Sequence, residues 1–429
     1  MMQRFLVPAR DTWSTLTARP TASFESLEPL VKTIFNEVKT AGDVALQAFT
    51  QKFDQVTITH LRAKDEEFDA AIDALSDALK DAIDLAYTNI ETFHAAQKSK
   101  PISVDTQKGV RCWQEKRPIE KVGLYIPGGT APLFSSLLML AIPAQLAGCK
   151  EIVLCTPPNK EGKIASEILY VAQRCGIKKI FKVGGAQAIA ALTFGTESIP
   201  KVDKIFGPGN QYVTVAKQMA TQHHVAIDMP AGPSELLVVA DTSCNPAFVA
   251  ADLLSQAEHG IDSQVILVSN STVVLDAVEK EIAQQLPLLP RKAIAEQALK
   301  NSKAVFFDQA TEAQEFINAY GPEHYIICVE NPVAYTGSIN NAGSVFVGNY
   351  TPESAGDYAS GTNHTLPTNG YARQYSGVNL DSFLKAITFQ EISAEGLEIL
   401  GPAIELMAAA EGLEAHKNAV TLRLNDLKN

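Results

Sequence analysis

The sequence predicts an α/β protein: two Rossmann-like parallel-sheet units with a helical N-terminal region and a helical C-terminal tail. Three observations predict it. Short β-branched runs alternate with helical stretches from residue 122 onward. The same alternation starts again near residue 236, as a duplication would produce. The segments outside these series show helical periodicity instead. Strand–helix–strand spacing of this kind requires crossover connections, and therefore a parallel sheet.

Residues 25–98 read as helical, with Phe68, Ile72, Leu75, Leu79, Ile83, Ala86 and Ile90 spaced at three and four. Residues 99–121 carry Pro101, Gly109 and Pro118 and read as an extended connection. The first series places strands at 122–126, 151–155, 179–183, 203–206 and 225–228. Helices at about 133–147, 163–175, 187–194 and 210–222 lie between them. The second series places strands at 236–240, 264–268, 304–308, 324–329 and 344–348. Its helices lie near 246–258, 271–285, 310–319 and 332–339. Residues 349–380 form a long polar loop, and loops of that length are uncommon unless functional. Residues 381–429 read as a helical tail too short for its own core.

The resulting division is 1–121, packing on the second α/β unit; 122–233, the first unit; 234–380, the second; and 381–429, the tail. A chain of 429 residues exceeds what one core supports, so several domains are expected. Apolar residues make up 46% and charged residues 20%, which excludes a disordered or fibrous chain. The net charge of −12 argues against nucleic acid or an anionic membrane as the main partner. Six scattered cysteines without a CxxC, and no signal-peptide pattern, fit a cytoplasmic protein. The apolar stretch 131–149 contains Ser135, Ser136, Pro143 and Gln145, and reads as a buried helix rather than a membrane span.

Four clusters carry chemistry. Gln256 and His259 share one face at the end of a helix stopped by Gly260. An amide oxygen and an imidazole there suit a divalent metal; the alternative is that His259 caps its own helix terminus. Glu323 and His324 enter a strand as an adjacent acid/base pair, or as a simple turn. Glu353, Asp357 and His364 lie in the Gly-rich loop, where two carboxylates and a histidine complete a metal site, orient a ligand or make Asx turns. Glu411 and His416 lie on the tail, where such residues usually form a solvated helix face.

Gly-rich turns at Tyr125–Gly129, Val183–Gln187 and Gly207–Asn210 each follow a strand and open a helix, which favours an anion. None completes GxGxxG, and Asp228 stands only roughly where a ribose-binding acid belongs. Ligands of such sheets lie beyond the carboxyl ends of the strands.

Read together, VGLYIPGGTAPLFSS, VGGAQAIAAL, KIFGPGNQYV, DMPAGPSE, DLLSQAEHG, YGPEH, ESAGDYASGTNH and AHKNAV, in this order, resemble the histidinol dehydrogenase family over residues 105–425. The resemblance implies oxidation of the small molecule L-histidinol to L-histidine through L-histidinaldehyde, the last steps of histidine biosynthesis. It implies reduction of two NAD+ and a bound zinc ion. It implies zinc ligation by Gln256, His259, Asp357 and His416, and catalysis by Glu323 and His324. It places Ser234 and Glu411 with these residues around the substrate, and Tyr125, Gln187 and Asn210 around NAD, so the first unit is the cofactor side. It also implies a homodimer whose exchanged tail carries His416 and Glu411 to the neighbouring site. The remaining alternatives are a zinc and NAD dehydrogenase of another amino or sulfonated alcohol, and a non-catalytic α/β binding protein.

Overall fold

The computed structural model describes residues 2–20, 24–128, 132–230 and 232–428. The strands are β1 (Gln3–Leu6), β2 (Ile102–Gln107), β3 (Val110–Pro118), β4 (Lys121–Tyr125), β5 (Glu151–Thr156), β6 (Lys179–Lys182) and β7 (Lys204–Phe206). They continue as β8 (Ala226–Ile227), β9 (Glu235–Ala240), β10 (Gln264–Ser269), β11 (Lys303–Phe306), β12 (His324–Cys328), β13 (Ser344–Val347) and β14 (Leu384–Ile392). The chain divides into two compact units, Met1–Gln97 with Ile119–Phe383, and Lys98–Pro118 with Leu384–Asn429.

The larger unit holds two parallel sheets. One has the order β6-β5-β4-β7-β8, the other β1-β11-β10-β9-β12-β13. Leaving β1 aside, both follow the same doubly wound order, with the first strand of each series in the middle and the reversal point beside it. β9 and β10 are buried along their whole length, as central parallel strands covered on both faces are. The sequence series therefore recovers both parallel sheets. It misses β1, which adds to the edge of the second sheet beside β11. It also misses the helix Lys292–Lys300.

The N-terminal helices pack differently from the expectation. The helices Phe24–Phe49, Asp65–Ala74 and Asp77–Ala95 pack mainly on the first sheet's helices rather than on the second α/β unit, although Asn89 and His94 of the last also meet Ala359 and Asn363 of the polar loop. Val31, Phe35 and Leu46 share a core with Ile189, Ile205 and Ala216, while Ile83 and Ile90 share one with Leu138 and Leu169. The apolar stripe of these helices meets the nearly all-apolar helices Phe134–Ala147 and Gly185–Phe194, which supply a wide surface to cover. Of the described N-terminal residues, β1 joins the second sheet, and Trp13 and Leu16 pack on that sheet's core, so this part does meet the second unit.

The smaller unit corrects the extended connection and the all-helical tail. β2 and β3 form an antiparallel hairpin turned at Gly109, whose φ is +77°. β14 pairs with β3 over nine residues and gives the order β14-β3-β2. Trp113 stacks on Phe389 at 5.2 Å across that pairing. The helices Ala394–Ala410 and Glu414–Asp426 then pack together, with Leu424 against Gly401. Leu406, Met407 and Leu422 in this unit remain more than half exposed. Among the described residues, no helix is long and apolar enough to cross a membrane.

Candidate active site

The polar cluster of the second sheet lies at the amino ends of its strands, not beyond the carboxyl ends. Glu235 opens β9 and His324 opens β12, its direct neighbour. The carboxyl end of the first sheet faces this edge. Gln211, which opens the helix after β7, donates from its amide to Asp262 at 3.2 Å, just before β10. Ser136, near the start of the helix after β4, lies 3.0 Å from His364 Nε2. The site is a cleft between the two sheets.

Three carboxylates surround one imidazole there. His324 Nδ1 lies 3.5 Å from Glu323 and 3.6 Å from Glu353, and Nε2 lies 3.5 Å from Asp357. The turn before His324 is closed by Gly321, in the left-handed region at φ +61°, which ends the preceding helix and aims Glu323 and His324 inward. The helix Glu353–Tyr358 brings Glu353 and Asp357 from the polar loop. The Glu235 main-chain N–H donates to Glu323 at 2.8 Å, and the Glu235 carbonyl lies 3.2 Å from His324 Nδ1. A carbonyl only accepts, so that contact places a proton on Nδ1.

Burial and charge oppose each other in this cluster. Burial works to lower the His324 pKa, but Glu353, Glu323 and Asp357 outweigh it and hold it well above the ordinary value. Burial raises the Glu353 carboxyl well above its usual range, against the pull of His324. Asp357 moves the other way, because the hydrogen bond and charge of His324 outweigh its burial. Three largely buried carboxylates gathered around one imidazole are what a cation would balance. His324, Glu353 and Asp357 each offer a ligand atom within 4.8 Å of the others. The donor chemistry therefore fits a divalent metal.

Of the residues implied as zinc ligands, Gln256, His259 and Asp357 share this cleft. Gln256 is fully buried; its amide, oriented to match its neighbours, turns its nitrogen to Glu353 and its oxygen to the Glu235 N–H at 3.1 Å. His259 presents an exposed surface at its helix end, yet burial lowers its pKa, with Asp357 pulling the other way. His364 Nδ1 meets the Asp357 main-chain oxygen at 2.8 Å, so it braces the loop. Ser234 is half-buried beside Glu235. His416 and Glu411 belong to the smaller unit and are exposed there. Glu353 emerges as a fully placed member of the cluster, whereas its sequence context allowed only one of several roles for it.

The implied cofactor residues gather at the carboxyl end of the first sheet. The Tyr125 hydroxyl, at the end of β4, accepts from the Gly185 N–H at 3.0 Å. Gln187 folds back over Gly185, where a Cβ would meet its oxygen at 2.8 Å. Asn210 caps the helix after β7 through Val213 N–H at 3.1 Å. Tyr125 and Gln187 are buried there and Asn210 caps its helix, so the described feature open to an anion is the pair of helix N-termini. Asp228 is not open to a ligand: it is buried, holds the Gly207 N–H at 2.8 Å and pairs with buried Lys217. It is a brace for the turn. Gly128 and Gly184 both lie against Pro157 and are needed for packing. Gly129, and Ala231 of the DMPAGPSE segment, lie outside the described residues.

Two doubly wound sheets facing one another across a buried cluster of carboxylates and an imidazole mark an α/β protein of the enzyme type. The sequence profile of the family described as histidinol dehydrogenase matches residues 17–424. Histidinol dehydrogenase of Bacteroides thetaiotaomicron is 58% identical over 428 residues, covering 100% of both chains. That of Escherichia coli K12 is 55% identical over 97% of this chain and 98% of its own. A crystal structure of histidinol dehydrogenase from Elizabethkingia anophelis superposes with a TM-score of 0.97 at 56% identity, covering 100% of this chain and 99% of that one. The chain belongs to the histidinol dehydrogenase family and is an oxidoreductase of histidine biosynthesis.

Proposed function

We propose that the chain oxidises L-histidinol through L-histidinaldehyde to L-histidine, with two NAD+ reduced per turnover and zinc in the site. The observation that carries this reading is the buried Glu323–His324 pair set beside Asp357 in a chain of this family. When bound, zinc would supply a Lewis-acid anchor for the imidazole and amine of the substrate, and NAD+ a hydride acceptor.

The protein's own groups divide the remaining work. Gln256, His259 and Asp357 would hold the metal, with His416 of a second protomer completing the set. Nδ1 of His324 carries a proton toward the Glu235 carbonyl, so Nε2 of the neutral ring takes the alcohol proton as hydride leaves carbon; a cation among the three carboxylates would offset the charge that otherwise holds the ring protonated. Glu323 removes a proton from the water that adds to the aldehyde, and the hydrate then yields the second hydride. Ser234 and Glu411 line the substrate. Tyr125, Gln187 and Asn210 orient the dinucleotide.

The exposed Leu406, Met407 and Leu422 support a homodimer through the smaller unit, with the tail exchanged. Six free cysteines support a reducing, cytoplasmic location. The test is a panel of amino alcohols and sulfonated alcohols offered with zinc and NAD+. Strong preference for L-histidinol is expected. Equal or better turnover of another alcohol would overturn the substrate assignment.

A further inference from the structure

Arg19 lies outside every motif of the site, yet one guanidinium ties the segment that carries the acid/base pair to the start of β9, which holds that pair by its main chain. Its Nε and Nη2 grip the Glu235 carboxylate at 3.0 and 2.7 Å. Nη2 also donates to the Tyr320 carbonyl at 2.8 Å, and Nη1 to the Thr17 carbonyl at 2.9 Å. The guanidinium carbon stacks 3.7 Å over the Tyr320 ring. Both side chains are nearly solvent-free, at 7% and 2% exposure. Tyr320 in turn donates to Gln264 at 3.0 Å and leads directly into the turn before Glu323.

The consequence lies in the main chain. Glu235 presents its N–H to Glu323 and its carbonyl to His324. Its carboxylate is instead taken up by Arg19 and the Asn369 N–H. We propose that Arg19 and Glu235 are a positioning pair that fixes the start of β9 against the Tyr320–His324 turn, and so sets the aim of both Glu323 and His324. A planar fork suits this role; a lysine offers a point charge without paired donors. Small displacements of a base cost rate steeply while leaving binding groups in place. The inference rests on the four-electron reading above.

The test compares Arg19→Lys, Glu235→Gln and the double variant Arg19→Met/Glu235→Leu with the parent enzyme. The double variant leaves no buried charge unpaired, so it is the form expected to fold. Histidinol turnover, KM, bound zinc and NADH formed per histidinol are measured for each. All three should lose at least tenfold in kcat with KM within about threefold. Because Glu323 is also misaimed, NADH per histidinol should fall below two and aldehyde should escape, with zinc retained. A folded double variant or Arg19→Lys with parental kcat and two NADH would make the pair merely structural and overturn the inference. A parent enzyme that itself forms only one NADH would instead overturn the four-electron reading.

Discussion

His364 Nδ1 meets the main-chain oxygen of Asp357 at 2.8 Å, so the position of the carboxylate aimed at His324 depends on a second histidine. Nε2 of that same ring reaches Ser136 on the first sheet's side of the cleft. Asp357, proposed above as a metal ligand, is expected to lose metal affinity when this brace is removed. His364→Asn should weaken zinc binding by roughly 10-fold or more. Competition with a chromophoric chelator measures it. Unchanged affinity would separate Asp357 from the metal.

The Glu235 N–H holds Glu323 2.8 Å away, and Glu323→Gln keeps that contact while removing the base. The first oxidation should survive better than hydration of the aldehyde. NADH per histidinol should move from two toward one, with zinc content unchanged. Equal loss of zinc and of both oxidations would contradict the assigned role.

His416 and Glu411 are exposed in the smaller unit, where the sequence resemblance requires them at a neighbour's site. His416→Asn and Glu323→Gln should each be nearly inactive alone. Mixed under conditions that exchange subunits, they should regain about a quarter of the parental activity, as random pairing leaves one intact site in half of the dimers. Absence of any recovery would count against a shared site.

Lys303 opens β11 with its side chain largely enclosed, and burial, with some repulsion from Arg19, pushes its pKa down to about 8. The unfolded chain holds that proton up to the ordinary lysine value, so this residue costs stability below pH 8. The cost fades as pH rises from 8 toward 10.5. Lys303→Met should therefore stabilise the protein by about 1 kcal/mol at pH 7, a figure reduced because water reaches part of the side chain. Its melting-temperature advantage should shrink by pH 10. An advantage that grew with pH would reverse the sign of the argument.

The strand series was legible because central parallel strands are buried on both faces and announce themselves as unbroken apolar runs, as in LLVVA and QVILV. β1 was not, since four residues at a sheet edge carry little pattern of their own. β14 was read as part of a helical tail because LKAITFQEI leads straight into a true helix, and its partner β3 lies far back in the chain. The proposed acid/base pair and proposed metal ligands are visible in the sequence as residue types. Their cleft is not, because the second sheet uses the amino ends of its strands. Arg19 and Glu235 were invisible in the same way: an ion pair between residues 216 positions apart has no local signature.

The central claim is a zinc-dependent oxidation in two steps, and one titration addresses it. NADH formation from a limiting amount of L-histidinol is followed before chelation, after chelation, and after zinc is restored. Two NADH per histidinol, loss of turnover on chelation and recovery with zinc are predicted. Full turnover after complete removal of metal, or one NADH with aldehyde left in solution, would contradict it.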